Sequence, residues 1–261
     1  DETNEMDVLS IPTDENNIVY KAIEMLYNSI GQTPSELKIT INTQIPVARG
    51  LGSSASVIVG GLLAANELLG RPADEAALLS IAAEIEGHPD NSTPAILGGF
   101  VLSSLEEDGS VVYRKLNFPK DWNITVCIPD YELATNIARS VIPDEIPIRD
   151  ALFNLKRSAM LIQAVNTADK ELMKYALQDK IHQPYREKLI PGLKEIKEAL
   201  KREENVLGVV LSGAGPSVLI ISYGNNLDKI RKTVSDVWDG LNVKSDILTL
   251  PVEETGAVIV E

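Results

Sequence analysis

A chain of 261 residues, 44% of them hydrophobic, is long enough for one large domain or two ordinary ones and too apolar for disorder to be the default. Its 24 basic residues against 38 acidic ones give a formal charge of −14 with no basic stripe, which excludes nucleic acid as the expected partner. A lone cysteine, Cys127, excludes an intrachain disulfide framework and fits a reducing compartment, so the cytoplasm is the expected location.

No window approaches the ~20 apolar residues of a membrane span, and Asp1 to Asn4 do not resemble a basic secretory leader. With only His88, His182 and Cys127 of the usual nitrogen and sulfur ligands, a transition-metal cage is not expected, whereas an oxygen-ligated magnesium ion stays open.

In chain order, Asn16 to Tyr27 places Ile18, Ala22 and Met25 near helical spacing behind capping asparagines and predicts a first helix. Leu37 to Pro46 alternates Leu37, Ile39, Ile41 and Thr43 on one side and predicts a half-buried strand ended by Pro46. The turn RGLGSSAS follows. From Ser54 the chain is apolar on nearly all faces and predicts a buried helix stopped by Gly70 and Pro72. DEAALLSIAAEIEG predicts a second helix, HPDNSTPAILGGF a loop into a strand from Gly99 to Ser103, and EEDG a hairpin turn into VVYRKL.

A domain junction is expected near Asn117 to Trp122, giving domains 1–117 and 118–261. NITVCIP predicts a strand, and RDALFNLKRSAMLIQAVNT, DKELMKYALQDK and PGLKEIKEALKR predict helices. VLGVVLSGAG and PSVLIIS predict two strands about a glycine turn, LDKIRKTVSDVWDG a helix, and VKSDILTLPV and AVIVE closing strands. Strands and helices interleave without regular alternation, which favours α+β in two domains over a doubly wound parallel sheet.

The strongest local signal is Pro46-Val47-Ala48-Arg49-Gly50-Leu51-Gly52-Ser53-Ser54-Ala55-Ser56, between a predicted strand and a buried helix. Gly50 and Gly52 let the backbone turn sharply and bring a phosphate to amides that the helix start leaves unpaired. A Walker A loop would need a lysine after Gly52, and none is there. The loose Gly50-x-Gly52-x-x-Ala55 dinucleotide fingerprint should return to a parallel strand, but the helix runs into a second helix. Read alone, the segment is also satisfied as a strand-to-helix turn with Ser53 as N-cap.

The remaining pattern, P-x-x-x-G-L-G-S-S-A, resembles the phosphate-binding motif of the GHMP kinases. Glu84-Ile85-Glu86-Gly87-His88-Pro89-Asp90-Asn91 followed by PAILGGF, Ala134-Thr135-x-x-x-Arg139, His182-Gln183-Pro184-Tyr185-Arg186 and Leu211-Ser212-Gly213-Ala214-Gly215-Pro216-Ser217 are similar to segments of the homoserine kinases within that family.

The resemblance implies a GHMP kinase fold, with an N-terminal nucleotide-binding β/α domain and a C-terminal ferredoxin-like α/β sandwich. It also implies transfer of the ATP γ-phosphoryl group to the homoserine hydroxyl, in threonine biosynthesis, with Mg2+ as cofactor. Pro46, Arg49, Gly50, Leu51, Gly52, Ser53, Ser54 and Ala55 would hold the nucleotide, and Ser54 and Glu84 the metal, with Glu86 as competitor. Glu84 is expected at the inner end of its helix.

His88, Asp90, Asn91, Arg139, Arg186, Gly213 and Gly215 would meet the substrate, and Glu84, Asn91, Thr135 and Arg139 would carry the catalytic roles. No strong side-chain base is implied, since phosphoryl transfer rests mainly on positioning and charge neutralisation. Two guanidinium forks suit a substrate carboxylate.

Another GHMP kinase, acting on mevalonate, a sugar or a shikimate-like alcohol, or a non-catalytic relative, are the competing readings. The partners implied are homoserine and ATP, with no membrane, and there is room for a homodimer. One departure stands at the front, where homoserine kinases begin with a strand and a loop resembling P-x-x-x-N-L-G-P-G-F-D. Nothing like it occurs before Asn17, and the favoured reading is that the chain starts downstream of that segment, because loss of a central strand exposes a sheet edge.

Overall fold

The computed structural model describes residues 11–260, which divide into two compact units. The first comprises residues 11–42, 54–114 and 255–260; the second comprises 43–53 and 115–254, so neither is a single stretch of sequence.

The first unit is mainly helical. Helix α1 (Ile18–Ser29) starts where the Asn17 side chain accepts from the Val19 amide, at 2.9 Å. Helix α2 (Ser53–Leu68) buries Ala55, Ile58, Val59, Leu62 and Ala65, which at i, i+3, i+4, i+7 and i+10 line one face of the cylinder, although its sequence is apolar nearly all round. Helix α3 (Glu75–Glu86) begins on the Asp74 cap and ends on Gly87 in the left-handed conformation. Val19, Ile23 and Leu26 of α1 pack with Ile58 and Leu62 of α2 and Leu78 and Ala82 of α3 in one core. A Cβ at Gly61 would lie 2.9 Å from Val19 Cγ1, so this glycine lets α2 approach α1. A short helix α4 (Ser92–Leu97) follows, and then β1 (Phe100–Leu105) and β2 (Val111–Leu116) pair as a hairpin.

The second unit carries a four-stranded sheet in the order β4-β5-β3-β6, formed by β3 (Trp122–Pro129), β4 (Val206–Leu211), β5 (Val218–Tyr223) and β6 (Ser245–Leu250), with every neighbour antiparallel. Between β3 and β4 lie α5 (Thr135–Ser140), α6 (Ile148–Thr167), α7 (Lys170–Ala176), α8 (Gln183–Arg186) and α9 (Leu193–Leu200); α10 (Leu227–Gly240) joins β5 to β6. Strand, helices, two strands, helix and strand in this order make the ferredoxin-like arrangement. Its core sets Cys127, Val218 and Ile220 of the sheet against Leu193 and Ile196 of α9 and Ile230, Val234 and Trp238 of α10. The buried Trp238 indole meets its polar need by donating to Pro191 O at 2.9 Å.

Three expectations are corrected. Leu37 to Pro46 is not a strand: no ladder partner is present among the described residues, and Ile39 and Ile41 are exposed, so alternation alone does not make a strand. Ala257 to Val260 is not a closing strand either, since β6 is the last; Ala257 donates once, to Ala95 O at 2.9 Å, and Glu261 lies outside the described residues. The loop after His88 contains helix α4, whose six residues are too few to show a period.

Candidate active site

The glycine turn belongs to the second unit, and its carbonyls are what hold it there. Ala48 O accepts from the Leu133 amide at 3.0 Å, Arg49 O from the Ser217 amide at 3.2 Å, and Gly50 O from Ser212 Oγ at 2.7 Å. A trans peptide sets each N–H opposite its own carbonyl, so the amides of Arg49, Gly50 and Leu51 point away from these partners. Ala48, Gly50 and Gly52 have φ of +54°, +72° and +70°, and repeated left-handed residues bend a backbone into the kind of concavity that gathers N–H groups around an anion. The turn runs directly into α2, at Ser53, with Ser54 exposed and Ala55 buried. Pro46 and Leu51 are half-buried at its two ends.

Gly50 is the tightest point. A Cβ there would overlap Ser212 O and lie 2.7 Å from Gly215 O, both backbone atoms that cannot swing aside. Gly213 and Gly215, with φ of +55° and +88°, fold the β4–β5 connection back onto the turn, and a Cβ at Gly213 would lie 3.3 Å from Gly50 O. The two glycine-rich segments are thus mutually fitted. Arg49 turns its side chain to Asp130, with Nη2 3.4 Å from Oδ1, while its Nη1 is buried without a hydrogen-bond partner among the described residues. The Tyr131 hydroxyl is also buried and unpartnered there; burial pushes its pKa up to about 12, against the opposing pull of the Arg49 charge.

The second unit also holds the two arginines singled out from sequence. Arg139 is exposed on α5, and Thr135 is exposed at the start of that helix. Arg186, at the end of α8, donates from Nε to Ala138 O at 3.0 Å and from Nη1 to Gly213 O at 3.3 Å. It therefore ties the α5 segment to the glycine loop after β4. Burial, and next the neighbouring Arg139 charge, hold the Arg186 guanidinium below its ordinary value, with Asp179 opposing.

The remaining candidates lie in the first unit. Glu84 is exposed on α3, beside Ser80, Ile81 and the hairpin residues Asp108 to Ser110, and so is not at the inner end of its helix. Glu86 is half-buried, with Oε2 out of contact with solvent. The difference follows from the helix: two residues along, a side chain rotates about 200° around the axis. His88 is half-buried with Nδ1 4.0 Å from Asp90 Oδ2, whereas Asp90 and Asn91 are exposed in the connection to α4.

Among the described residues no three His, Cys, Asp or Glu side chains converge on a cation site. The oxygen donors at hand, a serine hydroxyl and a glutamate, fit Mg2+, which keeps waters and phosphate oxygens in its shell.

Sequence reasoning misses Ser212, although it sits inside a recognisable glycine motif. It also misses Asp179 and Asn154, which build the bend before α8 and carry no local signature. Asp179 falls inside the run DKELMKYALQDK, which reads as one helix, whereas α7 ends at Ala176.

The family described as GHMP kinases N terminal domain matches residues 17–99, and GHMP kinases C terminal matches residues 160–240. The chain is 41% identical over 259 residues to a homoserine kinase of Caldicellulosiruptor saccharolyticus, covering 98% of this chain and 83% of that protein. It is 40% identical to a homoserine kinase of Clostridium botulinum, covering 94% and 82%. The crystal structure of homoserine kinase from Cytophaga hutchinsonii matches with a TM-score of 0.86 at 30% identity, covering 96% of this chain and 81% of that one. Together with the fitted glycine segments, these matches establish that the chain belongs to the GHMP kinase family.

Proposed function

We propose that this protein is a homoserine kinase, which transfers the γ-phosphoryl group of ATP to the side-chain hydroxyl of L-homoserine and yields O-phospho-L-homoserine, a step of threonine biosynthesis. The single observation that carries the substrate is the pairing of Arg186 with Arg139: two neighbouring cations, one fixed by backbone carbonyls, suit a small carboxylate. Similarity of about 40% to homoserine kinases over nearly the whole chain supports the same reading.

In this reading the turn Pro46 to Ala55 binds the nucleotide phosphates through amides turned away from the β4–β5 connection. Bound Mg2+ would neutralise charge building on the transferred phosphoryl group. Ser54 offers it a hydroxyl, and Glu86, rather than the exposed Glu84, offers a half-buried carboxylate.

Arg139 and Arg186 orient the amino-acid end, Gly213 and Gly215 bring backbone close to it, and Thr135 of the same unit supplies a polar contact; His88, Asp90 and Asn91 of the first unit are substrate candidates on the family resemblance. None of these needs to be a strong base, because a loose phosphoryl transition state depends little on early deprotonation. The protein works in the cytoplasm, with no nucleic-acid or membrane partner.

The decisive experiment incubates the protein with ATP, Mg2+ and L-homoserine and follows phosphohomoserine by phosphorus NMR. Mevalonate and sugar alcohols run in parallel. ADP release with one of those alcohols and none with homoserine would move the protein to another branch of the family, and no turnover with any would favour a binding role.

A further inference from the structure

Arg186 is carried by α8, four residues that cannot hold themselves as a helix. The N-cap residue His182 makes no side-chain cap bond. The carboxylate of Asp179, three residues upstream, takes that place. Its Oδ1 accepts from the Ile181 amide at 2.7 Å, its Oδ2 from the Gln183 amide at 2.5 Å, and both oxygens from the His182 amide, at 3.2 and 3.0 Å.

Asn154, on α6, completes the fitting. It donates to Asp179 Oδ1 at 2.7 Å and accepts from the Lys180 amide at 2.9 Å. The bend is gripped from the same helix at two more points: Arg157 donates to Gln178 at 3.0 Å, and the Arg157 and Lys180 cations lie 4.2 and 4.6 Å from the centre of the Phe153 ring. A 20-residue helix thus fixes the bend, the bend fixes the start of α8, and the end of α8 presents Arg186 to the Ala138 and Gly213 carbonyls.

We infer that Asp179, held by Asn154, is the positioning residue that aims Arg186 at the substrate carboxylate. The inference rests on the reading of Arg186 as a carboxylate ligand. A carboxylate is the group this place requires, since it accepts on both oxygens. An amide at 179 would turn its NH2 toward one set of donors, either Asn154 Nδ2 or the Gln183 and His182 amides, and lose that set. Asp179 also sets a negative charge against the Arg186 guanidinium.

The test is a double-mutant cycle in the whole protein, with steady-state kinetics in homoserine and in ATP. Asp179→Asn should raise the homoserine KM about tenfold by loss of charge-assisted hydrogen bonds, leaving the ATP KM unchanged, and Asp179→Glu should restore part of it. In an Arg186→Ala background the same change should add nothing, because the two residues act as one unit.

An Asp179→Asn protein with normal homoserine KM, or one that raises both KM values alike, would overturn the proposal. So would full additivity with Arg186→Ala. If Arg186→Ala alone leaves the homoserine KM unchanged, the failure lies in the carboxylate reading of Arg186 itself. Should Asp179→Asn not fold, Asn154→Ala, which keeps the carboxylate but frees it from α6, is read through the same cycle against the same outcomes.

Discussion

Ser212 Oγ donates to the Gly50 carbonyl at 2.7 Å, and Gly50 has no Cβ because the space beside it is filled by the carbonyls of Ser212 and Gly215. Gly50→Ala must displace one backbone from the other and hold a left-handed φ as well, which should cost about 1–3 kcal/mol and raise the ATP KM. Gly60, exposed on α2 with nothing within 4 Å of where a Cβ would stand, gives the control: Gly60→Ala should stabilise by about 0.5–1 kcal/mol. Denaturant melts of the two variants should move in opposite directions. Gly52→Val, at φ +70°, should abolish nucleotide binding in a protein that still folds, and unchanged ATP affinity would remove the phosphate role of the turn.

The metal reading separates two glutamates on one helix. Glu86→Gln should lower kcat by at least about tenfold and raise the Mg2+ concentration needed for half-maximal rate, by analogy with the loss of one charged group acting on transferred charge. Glu84→Gln, at an exposed position, should behave as the parent protein. Magnesium titrations of both variants check this, and the reverse pattern would return the role to Glu84.

Truncating Arg139 or Arg186, the proposed carboxylate ligands, should weaken homoserine by roughly 1.5–3 kcal/mol, or about tenfold to a hundredfold in KM. Lysine should rescue only in part, since a point charge cannot reproduce a planar fork. The ATP KM should hardly move. A rise in the ATP KM with homoserine unaffected would instead place Arg139 and Arg186 on the phosphates.

Cys127 sits wholly buried in the sheet core, and burial pushes its thiol pKa up from 9.0 to about 12. Because the unfolded thiol ionises first, its contribution to stability is complete below pH 9.0 and is lost as pH rises toward about 12. Chemical denaturation across that range should show stability falling, with a shallower fall in Cys127→Ala. Thiol reagents should leave the folded protein unlabelled at neutral pH, and rapid labelling without unfolding would contradict the burial.

How much of the fold is legible in the sequence varies with how local the cause is. The glycine turn, the cap of α1 and the strands of the second sheet are readable, because Asn17 and the runs around Cys127 and Ile220 act on neighbours in sequence. The segment Leu37 to Pro46 misleads, since a strand exists only with a partner and alternation says nothing about one. Helices α4 and α8 are invisible for the opposite reason: at six and four residues they owe their form to Asp179 and to packing rather than to a period.

In the site, the residue types are legible and the geometry is beyond reach. Nothing in the string E-I-E says which glutamate turns inward. The serine before Gly213 gives no sign that its hydroxyl closes on Gly50.

That closure spans 162 residues of chain. A ribosome that has released the glycine turn and α2 has made a binding segment without the groups that hold it. Until Ser212 and Ser217 emerge, the carbonyls of Arg49 and Gly50 have only water to bond, and the turn lacks the partners that shape it. At about 5–20 residues per second the wait lasts on the order of ten seconds or more, during which α1, α2 and α3 can already assemble from contacts close in sequence. If the turn holds the nucleotide as proposed, capture is a late event in the life of the chain, and it reports that the second unit has closed.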